Sequence, residues 1–136
     1  MSLIRIIIFS YLYFHKFFSY LNELKKLPFV IFHSYSGTLI EAHSFLNKNV
    51  NAFFSFGKTI LNGKKAAIEC IKLLPAETLL LETDSPYQTL KGESFTPPTD
   101  ILKVYEQVFN FRKELAIQIL KADDPLECLS KIEDIF

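Results

Sequence analysis

The sequence predicts an α/β protein in which four strands alternate with helices and lie parallel in one sheet. Three observations predict it. Short apolar runs rich in Ile, Val, Phe and Leu recur along the chain, and each is followed by a stretch with helical spacing. That order joins neighbouring strands by right-handed crossovers, which makes them parallel. The runs are continuous rather than alternating, the pattern of strands buried on both faces.

Leu3 to Phe9 is β-branched and apolar and predicts the first strand. From Leu12 to Lys26, apolar residues fall at Leu12, Phe17, Leu21 and Leu24, close to a helical repeat. Lys25 and Lys26 end that helix with charges suited to its C-terminal dipole. Phe29 to Phe32 predicts a second strand, closed by His33 and a Ser/Gly loop, and Thr38 to Leu46 a second helix. Asn49 to Phe56 predicts a third strand ending at Gly57. Gly63 to Leu74 is amphipathic, and Pro75 stops it. Thr78 to Thr83 predicts the fourth strand, and Asp84 to Pro98 a long loop with three prolines. Thr99 is placed to cap a helix from Asp100 to about Phe111. Two shorter helical segments follow, Glu114 to Lys121 and Pro125 to Phe136.

A chain of 136 residues suits a single domain over residues 1–136, large enough to bury a core. With 4 Gly and 6 Pro, a disordered or repeat-built chain is excluded. Formal net charge is zero, so bulk charge gives no strong grip on nucleic acid. The stretch 4-IRIIIFSYLYFHKFF-18 is strongly apolar. No small-residue cleavage site follows it, and His15 and Lys16 interrupt it before it could span a bilayer. The reading is a buried strand and a helix, with no membrane segment. Cys70 and Cys128 lie far apart beside apolar residues and read as reduced core thiols, which favours a cytoplasmic location.

In parallel α/β folds, chemistry gathers at the carboxyl ends of strands. Three polar clusters fall there: His33 to Gly37, Ser55 to Lys58, and Glu82 to Asp84. Glu82 and Asp84 are two apart on the predicted strand, so they share a face. Two like charges there call for compensation, by a divalent cation or a basic neighbour. A turn begun by Asp84-Ser85-Pro86 explains the same residues without chemistry. His33 ends another strand and opens on the same rim. A neutral imidazole with a carboxylate is a common pair for first-row metals, although a histidine at a strand end also serves as a structural hydrogen-bonder. His15 and His43 sit inside predicted helices as surface or half-buried residues, and Lys58, at a strand end, reads as a solvated loop residue or a contact for an anion.

The strings 33-HSYSG-37, 53-FFSFG-57 and 79-LLLETDSPY-87 resemble the second half of the TatD-type metal-dependent hydrolases, deoxyribonucleases among the amidohydrolase-like barrels. The order and spacing are similar, and 131-KIEDIF-136 resembles the helix that ends family members. The resemblance covers nearly all of this chain and about the C-terminal half of the family's fold. It implies a partial TIM-type β/α barrel of four strands with C-terminal helices added.

It also implies roles. His33 would be a metal ligand, and Asp84 a metal ligand and the catalytic acid/base. Glu82 would orient the site from behind Asp84. Ser34, Ser36 and Gly37 would border a phosphate pocket. The cofactor would be a divalent metal (zinc, manganese or magnesium), with two ions in a complete site, and the substrate DNA, cleaved at phosphodiester bonds. The family's first-strand His-x-His and fourth-strand Glu have no counterpart, and Phe9 occupies a position where a histidine is expected. In 91-KGESFTPP-98, Phe95-Thr96 stands where members commonly carry an Asn before the Pro. These departures predict a truncated barrel with an incomplete metal site and exposed apolar surface. Such a chain would self-associate or take up a complementing N-terminal half. The alternatives are an inactive fragment and a non-catalytic interaction module.

Overall fold

The computed structural model describes residues 6–9 and 14–113. Strands and helices alternate as predicted. The strands are β1 (Ile6–Phe9), β2 (Val30–His33), β3 (Ala52–Phe56) and β4 (Leu79–Leu81), in sheet order β1-β2-β3-β4. β1, β2 and β3 pair in parallel, with Ile6 opposite Val30, Phe9 opposite His33, and Phe32 opposite Phe54. The α-helices are α1 (Leu21–Leu24), α2 (Leu39–Asn47), α3 (Lys65–Leu73) and α4 (Ile101–Phe111). The described chain gathers into two compact units. One runs to Phe56 and resumes over Lys65–Leu80. The other comprises Gly57–Lys64 and the chain from Leu81.

The first unit owes its core to its phenylalanines. Phe32 and Phe54, register partners on β2 and β3, stack with ring centroids 5.4 Å apart. Phe45 of α2 lies over Phe32 at 4.6 Å, and Tyr35 meets Phe54 edge-on at 4.8 Å. Offset and edge-to-face contacts of this kind add attraction beyond the area buried. Ala67, Cys70 and Ile71 close the core from α3. Burial pushes the Cys70 thiol up to about 12, helped by the charges of Glu69 and Glu41, so it stays a protonated core residue.

Local signals explain the helices. Thr38 caps α2 by a capping box. Its Oγ1 accepts from the Glu41 N–H at 3.1 Å, and Glu41 Oε1 accepts from the Thr38 N–H at 3.0 Å. The predicted helix from Leu12 to Lys26 is instead a 3-10 helix over Phe14–Tyr20 leading into the short α1. Aromatic residues pay a rotamer cost in α-helices, and this run is anchored by its rings. Phe18 stacks on Phe45 at 4.4 Å, and Phe17 meets Phe32 edge-on at 6.0 Å.

The two sheet faces differ. Val30 and Phe32 are buried, while Ile31 and Phe53 are half-buried. Phe29, Ile31, Phe53 and Leu80 line an open cavity of about 220 Å³ with no polar lining. Among the described residues, then, only one face is fully covered, where continuous apolar runs predicted two.

In the second unit, α4 buries Ile101, Val104, Val108 and Phe109, a stripe at helical spacing, and packs against a 3-10 turn over Lys58–Asn62. Asp100 rather than Thr99 occupies the N-cap, and its side chain makes no capping bond. A 3-10 turn over Pro98–Asp100 leads into the helix. The segments Glu114 to Lys121 and Pro125 to Phe136, and Cys128, lie outside the described residues. Among the described residues no helix is long and apolar enough to cross a membrane.

Candidate metal centre

His33 is the last residue of β2. Ser34 takes a left-handed backbone, φ 50°, which turns the chain so that the Tyr35 N–H donates to the Ser55 carbonyl at 2.8 Å. That bond extends the ladder between β2 and β3 one step past the histidine. Ser34 Oγ lies 3.1 Å from His33 Nδ1, a contact that can set ring orientation and tautomer. Tyr35 is buried, and its hydroxyl donates to the Thr38 carbonyl at 2.7 Å. Burial drives its phenol well above the ordinary range, with smaller contributions from Cys70 and Glu41. A Cβ on Gly37 would stand 2.5 Å from Tyr35 Oη, so glycine is required for the ring to pass. Ser36 is exposed. Tyr35 was missed as an anchor, although a tyrosine between two serines after a buried strand was a visible signal.

The second cluster departs from expectation. β4 ends at Leu81, not Thr83, and Thr78 belongs to a 3-10 turn. Glu82 and Asp84 are therefore not on a strand, and the alternation that placed them on one face does not apply. Asp84 has φ 57°, a left-handed conformation that Asp tolerates better than most residues. It opens a turn closed by the Tyr87 N–H on the Asp84 carbonyl at 2.7 Å, around a cis Ser85–Pro86 peptide. The turn reading of Asp84-Ser85-Pro86 thus holds. Glu82 Oε1 accepts from Gln88 Nε2 at 3.3 Å. Gly57 passes so close to Gln88 that a Cβ there would strike its amide and reach within 3.3 Å of the Glu82 carbonyl.

Lys58 corrects the sequence reading most sharply. It is fully buried rather than solvated. Its ammonium donates to Glu93 Oε1 at 2.7 Å, Thr96 Oγ1 at 3.1 Å and Asp100 Oδ2 at 2.7 Å. Burial alone would depress its pKa. The hydrogen bonds to Asp100 and Glu93 outweigh that and hold it above the ordinary value. No motif announced this group, because its members span more than forty residues and only folding joins them.

His33 and Asp84 offer nitrogen and oxygen donors of the kind that first-row divalent metals and magnesium accept. Among the described residues, no group of three or more His, Cys, Asp or Glu side chains is placed to hold a metal ion. The donor chemistry fits a metal. The donor number falls short of the three protein ligands usual at catalytic zinc.

The parallel sheet with its intervening helices is that of part of a β/α barrel. A solved structure, that of YjjV, a TatD homolog from Escherichia coli K12, superposes with a TM-score of 0.70 at 26% identity, over 82% of this chain and 45% of that one. The sequence profile of the TatD related DNase family matches residues 6–122, and the chain belongs to that family. A curated relative, the uncharacterized metal-dependent hydrolase MG009 of Mycoplasma genitalium (strain ATCC 33530), is 37% identical over 78 residues. That match covers 54% of this chain and 30% of the relative. The chain thus spans less than half the length of either relative. Membership implies a divalent metal without specifying which.

Proposed function

We propose that this chain carries part of the metal site of a TatD-type hydrolase that cleaves phosphodiester bonds in DNA. The observation that supports it most is the pairing of family membership over residues 6–122 with a histidine at the end of a strand and an aspartate on a locally bonded turn. His33 and Asp84 are the proposed metal ligands. With Nδ1 facing Ser34, the imidazole would offer Nε2 to the cation. Asp84 would also hold the proton that moves during hydrolysis, and Glu82, tied to Gln88, would orient the loop that carries it. Ser34, Ser36 and Gly37 would approach the phosphate. A divalent cation, when bound, supplies positive charge against the phosphodiester, so a neutral chain needs no basic surface.

Two donors do not complete such a site. The remaining ligands would come from the rest of such a barrel, whether on the same polypeptide or another, or from a second copy of the chain. The apolar face formed by Phe29, Ile31, Phe53 and Leu80 favours that association, since apolar surface of this kind gains from being covered. A reducing, cytoplasmic setting suits the free buried thiol of Cys70. The same face supports the second reading, an interaction module without catalysis.

Hydrolysis of a labelled oligodeoxynucleotide separates the two. The hydrolase reading expects cleavage that needs manganese or zinc, stops with chelator, and falls about a hundredfold or more in Asp84→Asn. Absence of metal-dependent cleavage at every chain concentration tested would leave the inactive fragment or the interaction module.

A further inference from the structure

Burying a lysine costs several kcal/mol unless its charge is paired and its protons are bonded. Lys58 meets both conditions. Its three ammonium protons have three partner groups, Glu93, Thr96 and Asp100. One carboxylate would neutralise it, and both oxygens of Glu93 with one of Asp100 already offer three acceptors, so Thr96 calls for a separate reason.

That reason lies in what else Thr96 touches. Its side-chain Oγ1 donates to the Gln88 carbonyl at 3.1 Å. Its N–H donates to the Pro86 carbonyl at 2.8 Å. Its carbonyl accepts from Ser85 Oγ at 2.8 Å. All the polar groups of one buried threonine are thus spent on residues 85, 86 and 88. Ser85 and Pro86 are the central residues of the turn that begins at Asp84 and closes through Tyr87 N–H, and Gln88 follows it directly. Gln88 in turn holds Glu82. The ammonium thus bonds the hydroxyl of Thr96, and Thr96 bonds the centre of the Asp84 turn and the residue that follows it.

We infer that Lys58, acting through Thr96, is a positioning residue for Asp84. It holds the left-handed Asp84 turn in one conformation so that the carboxylate meets a cation without first being ordered. This rests on the reading of Asp84 as a metal ligand, but the link from Lys58 to the turn can be tested independently of that reading.

The test uses the full chain as wild type, Thr96→Val and Thr96→Ser. Valine keeps the shape of threonine and removes the hydroxyl, while serine restores it. Two quantities are read: amide hydrogen exchange at Tyr87 and the affinity for manganese. In Thr96→Val, Tyr87 should exchange about tenfold faster, while Val30 and Phe54 in the sheet keep their protection. Manganese affinity should fall about tenfold. Thr96→Ser should recover both. A merely structural threonine would lower sheet protection together with the turn, and serine would not restore affinity selectively.

Unchanged Tyr87 exchange in folded Thr96→Val overturns the inference. So does faster exchange with wild-type manganese affinity, provided that affinity depends on Asp84. If wild-type manganese binding proves indifferent to Asp84→Asn, the metal reading fails, and Tyr87 exchange alone, read also in Lys58→Met, decides whether Lys58 and Thr96 order the turn. Should Thr96→Val not fold, Ser85→Ala breaks one arm of the same link, and the same two readings decide.

Discussion

Phe9 and His33 are register partners at the carboxyl ends of β1 and β2. A residue at position 9 therefore leaves its strand at the same level as the proposed ligand His33. The family resemblance expects a histidine where this chain has Phe9, and phenylalanine has no donor for a divalent cation.

Phe9→His should accordingly raise manganese or zinc affinity by about tenfold, by adding a donor at the level of His33. Isothermal titration of the variant against wild type checks it. Equal affinities would mean that position 9 does not face the metal.

The Lys58 cluster predicts a pH dependence of stability. Asp100 and Glu93 have pKa values held below the ordinary 3.8 and 4.5, chiefly by hydrogen bonds from Lys58. Their stabilisation is present above those ordinary values and is lost as pH falls through the lower folded-state values. Lys58 is shifted above its ordinary 10.5, so its part is present below that value and is lost as pH rises through the higher folded-state value. Stability should form a plateau between the acid and alkaline limits, measured by chemical unfolding at stepped pH. Lys58→Met should cost about 3 kcal/mol on that plateau, because it leaves the buried Asp100 carboxylate to the solvent-exposed Lys103. A Lys58→Met variant as stable as wild type at neutral pH would contradict the cluster.

Gly37→Ala places a methyl group against the Tyr35 hydroxyl, 2.5 Å from Oη. The ring must shift, which strains its 2.7 Å bond to Thr38 at the start of α2. A loss of about 1–3 kcal/mol is expected, read as a lower Tm by calorimetry. An unchanged Tm would show that Tyr35 can move at no cost.

Much of this was legible in the sequence because it was local. The apolar runs marked the strands. Thr38 to Leu46 read as a helix, and Asp84-Ser85-Pro86 spelled a turn. What could not be read was non-local. Lys58 joins partners 35 to 42 residues away, so a charge after Gly57 looked solvated when it was buried. The end of β4 was also misplaced. Glu82 and Thr83 are compatible with a strand, but Gln88 and Ser85 bond their side chains within a loop instead. The 3-10 helix at Phe14–Tyr20 was missed because apolar spacing alone does not separate a 3-10 from an α-helix when ring packing dictates the turn.

The central proposal, drawn from family membership, is that His33 and Asp84 are each metal ligands. The direct measurement is the amount and affinity of manganese or zinc bound per purified chain, for wild type, His33→Ala and Asp84→Asn. The account predicts measurable binding to wild type and a loss of about tenfold or more in affinity for each variant. Binding that is equal in all three proteins, or absent from the wild type in every association state, would contradict it.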